Sequence, residues 1–231
     1  MSAPPINPTT IHYGDLNYPS RLRDLYDPPG QLYLTGDAEL LKLPMIAIVG
    51  SRNASAAGLK NAAILAQGLS AAGALIISGL ARGIDGAAHH ATLQAGPQHF
   101  TAAVCGTGLD IVYPRQHRWL ARAICQRGLL LSELPMGVGP QAFHFPRRNR
   151  LIAALCLGVV VIEAAEKSGS LITARIAAEL GREVFALPGP IQDPLFGGCH
   201  RLIQQGAKLV TSPKEVLDEL IFSPKTHFKG S

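Results

Sequence analysis

Arginine, lysine and serine residues recur in this sequence directly after short apolar runs, in an arrangement suited to binding phosphate. Five runs begin at Ile46, Leu75, Val104, Leu129 and Val159, and each leads into a loop with glycine or serine and a cation in or near it. If the runs are parallel strands, their loops gather at the carboxyl edge of one sheet, where open α/β sheets bind ligands. Cations beside exposed backbone N–H groups then offer a phosphate site.

The loop after the first run, Gly50-Ser51-Arg52, leads into a helix for which Ser55 is a suitable N-cap. Gly50 permits a close approach of backbone to a ligand. An ordinary tight turn is the alternative. Arg52 favours a ligand site, because a cation beside a helix N-terminus opposes the helix dipole unless an anion lies between them.

The loop after the second run has Gly79 and Gly83 on either side of Arg82. The helix that follows carries Asp85 in its first turn. A carboxylate there either favours the helix N-terminus or orients Arg82 through a salt bridge. This loop therefore predicts a second cation at the same edge of the sheet.

The densest basic cluster follows the fourth run and is interleaved with aromatic residues. Arg147 and Arg150 are three residues apart and would share a helix face. A solvated charge run is the alternative, but aromatic rings beside arginines can stack bases while the cations hold phosphates. The cluster comprises Phe143, Phe145, Arg147, Arg148, Asn149 and Arg150.

The segment Lys167-Ser168-Gly169-Ser170 opens another helix. Ser168 or Ser170 can cap this helix, and the free N–H groups of its first turn form an anion site with Lys167 alongside. A plain capped helix is the alternative. The G-x-x-x-x-G-K-[ST] order of a P-loop is absent from the whole chain.

Several other chemistries lack their residues. The first loop has no G-x-G-x-x-G fingerprint and no carboxylate ends the second strand, so no dinucleotide cofactor is expected. His89 and His90 do not share a helix face, and the four cysteines lack C-x-x-C spacing, so no metal site is predicted. Glu133 and Glu163 end strands at the site and could serve as acid or base, or orient the arginines. No complete catalytic set emerges.

The bulk composition describes a compact globular protein. The 231 residues are 47% hydrophobic, and the net charge of +5 is a moderate basic excess. The N-terminus lacks the order of a signal peptide, and the longest apolar run is too short to span a membrane. Because cysteines fall within apolar runs, a reducing compartment fits best, and we expect a soluble, cytoplasmic protein.

Strand-like runs alternate with helical segments from Met45 onward, which predicts an α/β fold with a doubly wound, mostly parallel sheet and helices on both faces. The strands are continuous apolar runs, as expected of strands buried on both sides. Residues 1–43 are interpreted as an N-terminal extension packed on the core, 44–220 as the main domain and 221–231 as a flexible tail. The predicted helices span 56–72, 84–94, 116–127, 148–155, 170–180, 200–205 and 213–220, with late strands at 184–187 and 208–210.

Several of these segments, in this order, resemble the signatures of the bacterial DNA-processing protein A (DprA/Smf) family. The resemblance covers roughly Tyr18 to Leu220. It implies an extended Rossmann-like domain, without enzymatic activity, that binds single-stranded DNA and forms homodimers. It also implies that the protein protects incoming DNA and helps load RecA recombinase during natural transformation. The matching segments are Gly50–Arg52, Ser78–Asp85, Phe145–Ile152, Ser168–Ala174, Ala186–Gly189 and 202–207.

By motif match, the resemblance assigns DNA-binding roles to Arg52, to a loop at Phe145–Arg150 and to Lys167, with glycines that admit the DNA backbone. His200 stands where the family pattern has asparagine. No catalytic residue, metal or cofactor is expected. The expected DNA-binding residues are Gly50, Ser51, Arg52, Gly79, Arg82, Gly83, Phe145, Arg147, Arg148, Asn149, Arg150, Lys167, Ser168, Gly169 and Ser170.

A Rossmann-like nucleotide phosphoribohydrolase is the enzymatic alternative. Such enzymes resemble P-G-G-x-G-T-x-x-E at the start of the corresponding helix, and the glutamate is catalytic. Here the segment that begins at Lys167 ends in Arg175. The missing carboxylate weighs against hydrolysis.

Overall fold

Nine strands form one mixed sheet within residues 8–220, the part of the chain that the computed structural model describes. They are β1 (Thr9–His12), β2 (Gln31–Gly36), β3 (Met45–Val49), β4 (Leu75–Ser78), β5 (Thr101–Val104), β6 (Leu129–Ser132), β7 (Gly158–Val161), β8 (Glu183–Ala186) and β9 (Lys208–Leu209). The order across the sheet is β1-β2-β6-β5-β4-β3-β7-β8-β9. The strands from β6 to β9 in this order are parallel, whereas β2 pairs antiparallel with β6 and β1 pairs antiparallel with β2.

Helices cover both faces of the sheet, which confirms the doubly wound α/β fold that the sequence predicts. They are α1 (Ala56–Ala71), α2 (Ile84–Gln94), α3 (Arg118–Arg127), α4 (His144–Leu155), α5 (Ser170–Glu179), α6 (Gly197–Gln204) and α7 (Pro213–Glu219). Helices α1, α2, α3 and α7 pack on one face, and α4, α5 and α6 pack on the other. In residues 8–220, none of the helices combines the length and the apolar composition that a membrane span requires.

Strand β3 explains why the apolar runs are continuous. Ile46 and Ile48 belong to the core on the α1 side of the sheet, whereas Ala47 and Val49 belong to the core on the α4 side. Since successive side chains of a strand point to opposite faces, a strand that is covered twice must be apolar at every position.

The strand order reverses beside β3, whose two neighbours are β4 and β7. Val49 at the end of β3 lies opposite Val161 at the end of β7. The loops that follow these two strands therefore start side by side at the carboxyl edge. In open α/β sheets, this reversal of strand order opens the crevice in which ligands bind.

Helix α4 begins earlier than the sequence predicts, at His144 instead of Arg148. Its third residue is Pro146, which lacks an N–H group. The first N–H groups of a helix have no intrahelical acceptor, so a proline in the first turn costs no hydrogen bond. The segment Phe145–Arg150, expected as a loop, is therefore helical, and its side chains have fixed directions.

The N-terminal segment contributes to the sheet. Residues 1–43 are expected to pack on the core as an extension, and within the described part of this segment β1 and β2 lengthen the sheet beyond β6. Short 3₁₀ turns follow each of these strands, at Ser20–Asp24 and Ala38–Lys42. The expected flexible tail, 221–231, lies outside the described residues.

His89 of α2 is a buried neutral histidine. Its Nδ1 lies 2.6 Å from Thr101 Oγ1, and that hydroxyl donates to Ile76 O, so Nδ1 must be the donor to the threonine. Burial, with smaller contributions from His117 and Arg148, lowers the pKa of the imidazole to about 3.

We expect His89 to make the protein less stable in mild acid. The unfolded chain binds a proton at His89 below pH ~6.5, whereas the folded protein does not until pH ~3, so stability is lost as pH falls through this interval. Between pH ~7 and pH ~5, this residue alone should lower the free energy of unfolding by about 2 kcal/mol. Urea denaturation at both pH values measures the effect. His89→Asn should remove that part of the pH dependence and His90→Asn should retain it; identical pH profiles for all three proteins would contradict the assignment.

Candidate functional site

A cavity of about 460 Å³, here called the switch-point cavity, opens where β3 and β7 end side by side. Gly50–Asn53, after β3, forms one wall, and Lys167–Ser170, at the start of α5, forms the other. Arg148 and Asn149 of α4 also line the cavity. Ala81 and Asp85, after β4, also line the cavity, which therefore joins residues of four motifs that are far apart in sequence. The charged residues of the lining are Arg52, Asp85, Arg148 and Lys167.

Helix α5 begins in this cavity without a capping side chain. The sequence suggests Ser168 or Ser170 as the cap, but their hydroxyl groups lie 2.7 Å apart and hydrogen-bond to each other. The N–H of Ser170 makes only a long contact, 3.4 Å, with Ser168 Oγ. Asn149 Nδ2 donates to Gly169 O at 3.2 Å and fastens this turn to α4. The positive end of α5 is thus open to an anion, with exposed Lys167 beside it.

The N-terminus of α1, in contrast, is neutralised by the protein itself. Glu163 is fully buried, and its carboxylate accepts hydrogen bonds from Ser55 N, at 2.9 Å, and from Ser55 Oγ. Ser55 Oγ in turn accepts from Gly58 N, which confirms Ser55 as the N-cap. Glu163 therefore orients Ser55 and not an arginine. The N-terminus of α1 therefore already has a buried carboxylate beside it.

Arg148, which is expected from the sequence to bind DNA, is a buried cation. It is only 5% exposed, its Nη1 donates to Val104 O, and its Nε has no partner in the described part of the chain. Burial lowers the pKa of the guanidinium, and the charge of Asp85 opposes this. A buried cation with an unpaired donor favours an anion nearby.

Asp85 does not form the salt bridge with Arg82 that the sequence suggests. Its carboxylate accepts hydrogen bonds from the N–H groups of Gly79, at 3.1 Å, and Ala81, at 3.4 Å. Burial raises the pKa of this carboxyl group, whereas Arg148 and the two N–H donors lower it. Asp85 thus holds the loop after β4 in shape.

The glycines of the site are expected from the sequence to admit the backbone of a ligand, but three of them make room for protein. A Cβ at Gly79 would lie 2.3 Å from the Nη atoms of Arg148, and one at Gly50 would lie 2.7 Å from Ile84 Cγ1. Gly83 has a φ of +73°, and a Cβ there would lie 2.2 Å from Ser51 O. Only at Gly169, of these four, would a Cβ meet open space.

Arg147 and Arg150 share a face of α4, as their spacing predicts, but they do not line the switch-point cavity. Arg147 Nε lies 3.4 Å from one carboxylate oxygen of Glu133, and Arg150 Nη2 lies 2.5 Å from the other. Both guanidinium groups also approach Asp27, at 3.8 Å and 3.9 Å. The role predicted for Glu133, orienting the arginines, is confirmed.

A second cavity of about 570 Å³, here called the side cavity, adjoins the first. Arg52 and Arg148 line both cavities and form the boundary between them. Arg82, from the loop after β4, lines the side cavity together with Arg115. Of the expected cations, Arg52, Arg82, Arg148 and Lys167 therefore line two adjoining cavities, whereas Arg147 and Arg150 line neither.

The aromatic residues near the site differ in their surroundings. The Phe145 ring lies in the side cavity, with the guanidinium of Arg52 5.5 Å from its centroid. The Tyr113 ring lies 5.2 Å from that of Phe145. Phe143 is 62% exposed and packs edge-on against His144. Sequence reasoning missed Tyr113, although an exposed aromatic two residues before Arg115 repeats the pairing of ring and cation seen in the α4 cluster.

Two further features concern other kinds of site. Within residues 8–220, no group of three or more histidine, cysteine, aspartate or glutamate side chains is arranged to hold a metal ion. A groove of about 490 Å³ lies between α5 and α6 and includes Leu171, Ala174 and Leu202. We call it the α5–α6 groove.

Comparison with known sequences gives a consistent set of relatives. A family model described as "DNA recombination-mediator protein A" matches residues 9–221. DNA processing protein DprA of Streptococcus pneumoniae is 52% identical over 205 residues, which are 89% of this chain and 72% of the relative. Protein Smf of Escherichia coli is 49% identical over 206 residues, which are 89% of this chain and 54% of the relative. The chain thus matches only part of these longer proteins.

Solved structures give the same result. The crystal structure of DprA from Streptococcus pneumoniae has a TM-score of 0.90 at 50% identity, covering 94% of this chain and 75% of that one. The structure of DNA processing protein A from Helicobacter pylori, described for its single-stranded DNA binding mode, has a TM-score of 0.82 at 32% identity, covering 92% and 95%. A molybdenum cofactor binding protein from Rippkaea orientalis has a TM-score of 0.53 at 16% identity, covering 76% and 93%, and shares the fold alone.

Proposed function

Because the chain belongs to the DNA recombination-mediator protein A family, we propose that it binds single-stranded DNA in the switch-point cavity. The observation that carries the proposal is the uncapped N-terminus of α5, which opens into a cavity lined by Arg52, Arg148 and Lys167. The relative from Helicobacter pylori, described for binding single-stranded DNA, supports it.

In this mechanism, the start of α5 holds one phosphate. The N–H and hydroxyl of Ser170 and the hydroxyl of Ser168 donate hydrogen bonds, and Lys167 adds a charge at the cavity rim. Arg52, on the opposite wall, holds the neighbouring phosphate. The charge of the buried Arg148 guanidinium attracts the DNA backbone, and the low dielectric constant of the protein interior strengthens this attraction.

Two features of the site favour a single strand. The cavity is a crevice between two loops, which accepts one sugar–phosphate backbone more readily than a duplex. The ring of Phe145, in the adjoining side cavity, offers a stacking surface, and only unpaired bases can reach such a surface. Because phosphate contacts and stacking carry little sequence information, binding should not depend on sequence.

Several finer roles form part of the same proposal. The bound strand would be protected and delivered to RecA recombinase by a homodimer, in natural transformation or recombination. The cytoplasm is the proposed compartment, since the four cysteines are free and burial raises the pKa of the Cys105 thiol to about 11. We propose binding without catalysis, because Arg175, where phosphoribohydrolases have glutamate, pairs with Glu179 in solvent. Release of free base from a nucleoside monophosphate would contradict this last point.

Titration of a fluorescent oligothymidylate, with the matching duplex as control, tests the proposed function. If four to six phosphates are contacted, log affinity should fall with log salt at a slope of roughly −3 to −4. The single strand should bind more tightly than the duplex at each salt concentration. An affinity that does not change with salt concentration, or that is higher for the duplex, would contradict the mechanism.

We expect Arg147→Ala to change the affinity for single-stranded DNA by less than about twofold, since rim charges that are already paired contribute little. Arg147 is 54% exposed, but Glu133 and Asp27 already neutralise it. Lys167→Ala is the matched comparison, because it removes an exposed cation that lines the cavity. The same fluorescence titration measures both variants. A loss for Arg147→Ala as large as that for Lys167→Ala would mean that the strand also crosses the outer face of α4.

A further inference from the structure

The side cavity has a composition that its neighbour lacks. Its walls are the loop after β4, the segment Tyr113–Gln116 before α3, and Phe145 of α4. Four of its lining residues, Arg52, Arg82, Arg115 and Arg148, are arginines, and none is an aspartate or glutamate.

The arginines of the side cavity have hydrogen-bond donors that remain available to a ligand. Arg82 and Arg115 are exposed, and neither has a carboxylate within 4.0 Å in the described part of the chain. The buried Nε of Arg148, at the boundary with the switch-point cavity, has no hydrogen-bond partner there either. Guanidinium groups that converge without an acidic partner favour phosphate, which accepts several of their hydrogen bonds at once.

An aromatic surface lies beside these charges. Tyr113 is 45% exposed, and its ring lies 5.2 Å from that of Phe145 at an angle of 39°. The guanidinium of Arg52 lies 5.5 Å from the centroid of the same Phe145 ring. A ring that is half exposed at a cationic cavity can stack a nucleobase, and a tyrosine hydroxyl remains available to solvent when it does so.

The loop between the two cavities is conformationally strained. Leu80 is a buried non-glycine residue with a φ of +58°, and its carbonyl oxygen lies 2.9 Å from His117 Nδ1. This bond ties the loop after β4 to the turn that carries Arg115. Strained backbone of this kind persists where the surroundings hold it, and it is found at ligand sites. The wall of the side cavity is therefore held in shape before any ligand arrives.

We propose that the side cavity holds the next nucleotide of the strand bound in the switch-point cavity, with its base on Tyr113 and its phosphate between Arg82 and Arg115. This inference rests on the proposed function. Arg52, which lines both cavities, contacts the backbone at the crossing point and fixes the path of the strand across the edge of the sheet. A free nucleotide carries the same base and phosphate groups, so the test must distinguish a bound DNA strand from a free nucleotide.

Titrations with oligothymidylates of increasing length, from the dinucleotide upward, test the proposal with wild-type protein, Tyr113→Ala and Arg115→Ala. Both variants should bind the dinucleotide like the wild type and bind longer oligonucleotides roughly tenfold more weakly, as expected for the loss of one stacked base or one phosphate contact. Arg115→Ala should also reduce the salt slope by about 0.7. Lys214→Ala, an exposed cation on α7, is the control and should match the wild type at every length.

Each other outcome overturns the proposal in a distinguishable way. Variants that match the wild type at every length would exclude the strand from the side cavity. Variants that lose affinity for thymidine monophosphate, but retain that for long oligonucleotides, would identify a free nucleotide as the occupant. Wild-type protein that binds no oligonucleotide even at low salt would overturn the proposed function itself. Photocrosslinking of 5-iodouracil DNA to the wild-type protein avoids any effect of the substitutions on folding; adducts on Tyr113 or Phe145 support the proposal, and adducts confined to other residues overturn it.

Discussion

Replacing Arg52 by alanine should weaken single-stranded DNA binding more than any other single substitution, by roughly 10- to 100-fold. Arg52 lines both cavities, has no carboxylate partner among the described residues and lies over the ring of Phe145. Its removal takes away a phosphate contact at the centre of the proposed path and one side of the stacking surface. The loss should be equal for all DNA sequences, because phosphate contacts carry no sequence information.

Fluorescence titrations of Arg52→Ala at about 50 mM and about 200 mM salt measure both the loss and the salt slope. Lys214→Ala removes the same charge from the opposite edge of the sheet, since Pro213 packs on Gly68 near the end of α1. That control should bind like the wild type. A loss for Arg52→Ala that varies strongly with sequence, or that Lys214→Ala reproduces, would count against the assignment.

Replacing Glu163 by alanine should lower the free energy of unfolding by about 3 kcal/mol. The carboxylate is fully buried and holds both the N–H and the hydroxyl of Ser55. Without it, two partly buried donors lose their acceptor, and the N-terminus of α1 loses the anion that neutralises its dipole. Glu163→Gln retains one acceptor oxygen and should cost about 1 kcal/mol.

Urea denaturation measured by circular dichroism tests this expectation. Glu166→Ala is the matched control, because Glu166 carries the same charge three residues later and is exposed. Gly58→Ala offers an independent check, since a Cβ there would lie 2.3 Å from Glu163 Cδ and must displace the carboxylate. If Glu163→Ala were as stable as Glu166→Ala, the cap of α1 would not depend on Glu163.

The sequence predicts the layers of this fold well, because burial of β3 on both faces demands an apolar residue at every position. It also predicts the edge at which the site lies, since the cations follow the strands. The start of α4 is harder to predict, because proline is read as a helix breaker although it costs no hydrogen bond in a first turn.

Pairings between distant residues could not be predicted in the same way. Glu163 is 108 residues from Ser55 in sequence, so nothing near either residue reveals that one holds the other. Arg148 lies between Arg147 and Arg150, which are both at least partly exposed. Its burial depends on the space left by the missing side chain of Gly79, which is 69 residues earlier in the sequence. The first contact arises because β3 and β7 end side by side, and the second from the packing of α4 against the sheet; local patterns specify neither.

Hydrogen–deuterium exchange with and without an oligothymidylate is the most direct test of where the strand binds. In the free protein the start of α5 has no side-chain cap, and the N–H groups of Leu171 and Ile172 bond only to carbonyl oxygens of the preceding turn, at 3.2 Å. Bound DNA should slow exchange in peptides that cover 50–53 and 167–172, and it should leave peptides from α6, on the far wall of the α5–α6 groove, unchanged. Slower exchange in α6 with no change at 50–53 and 167–172 would show that the strand binds elsewhere and would contradict the proposed site.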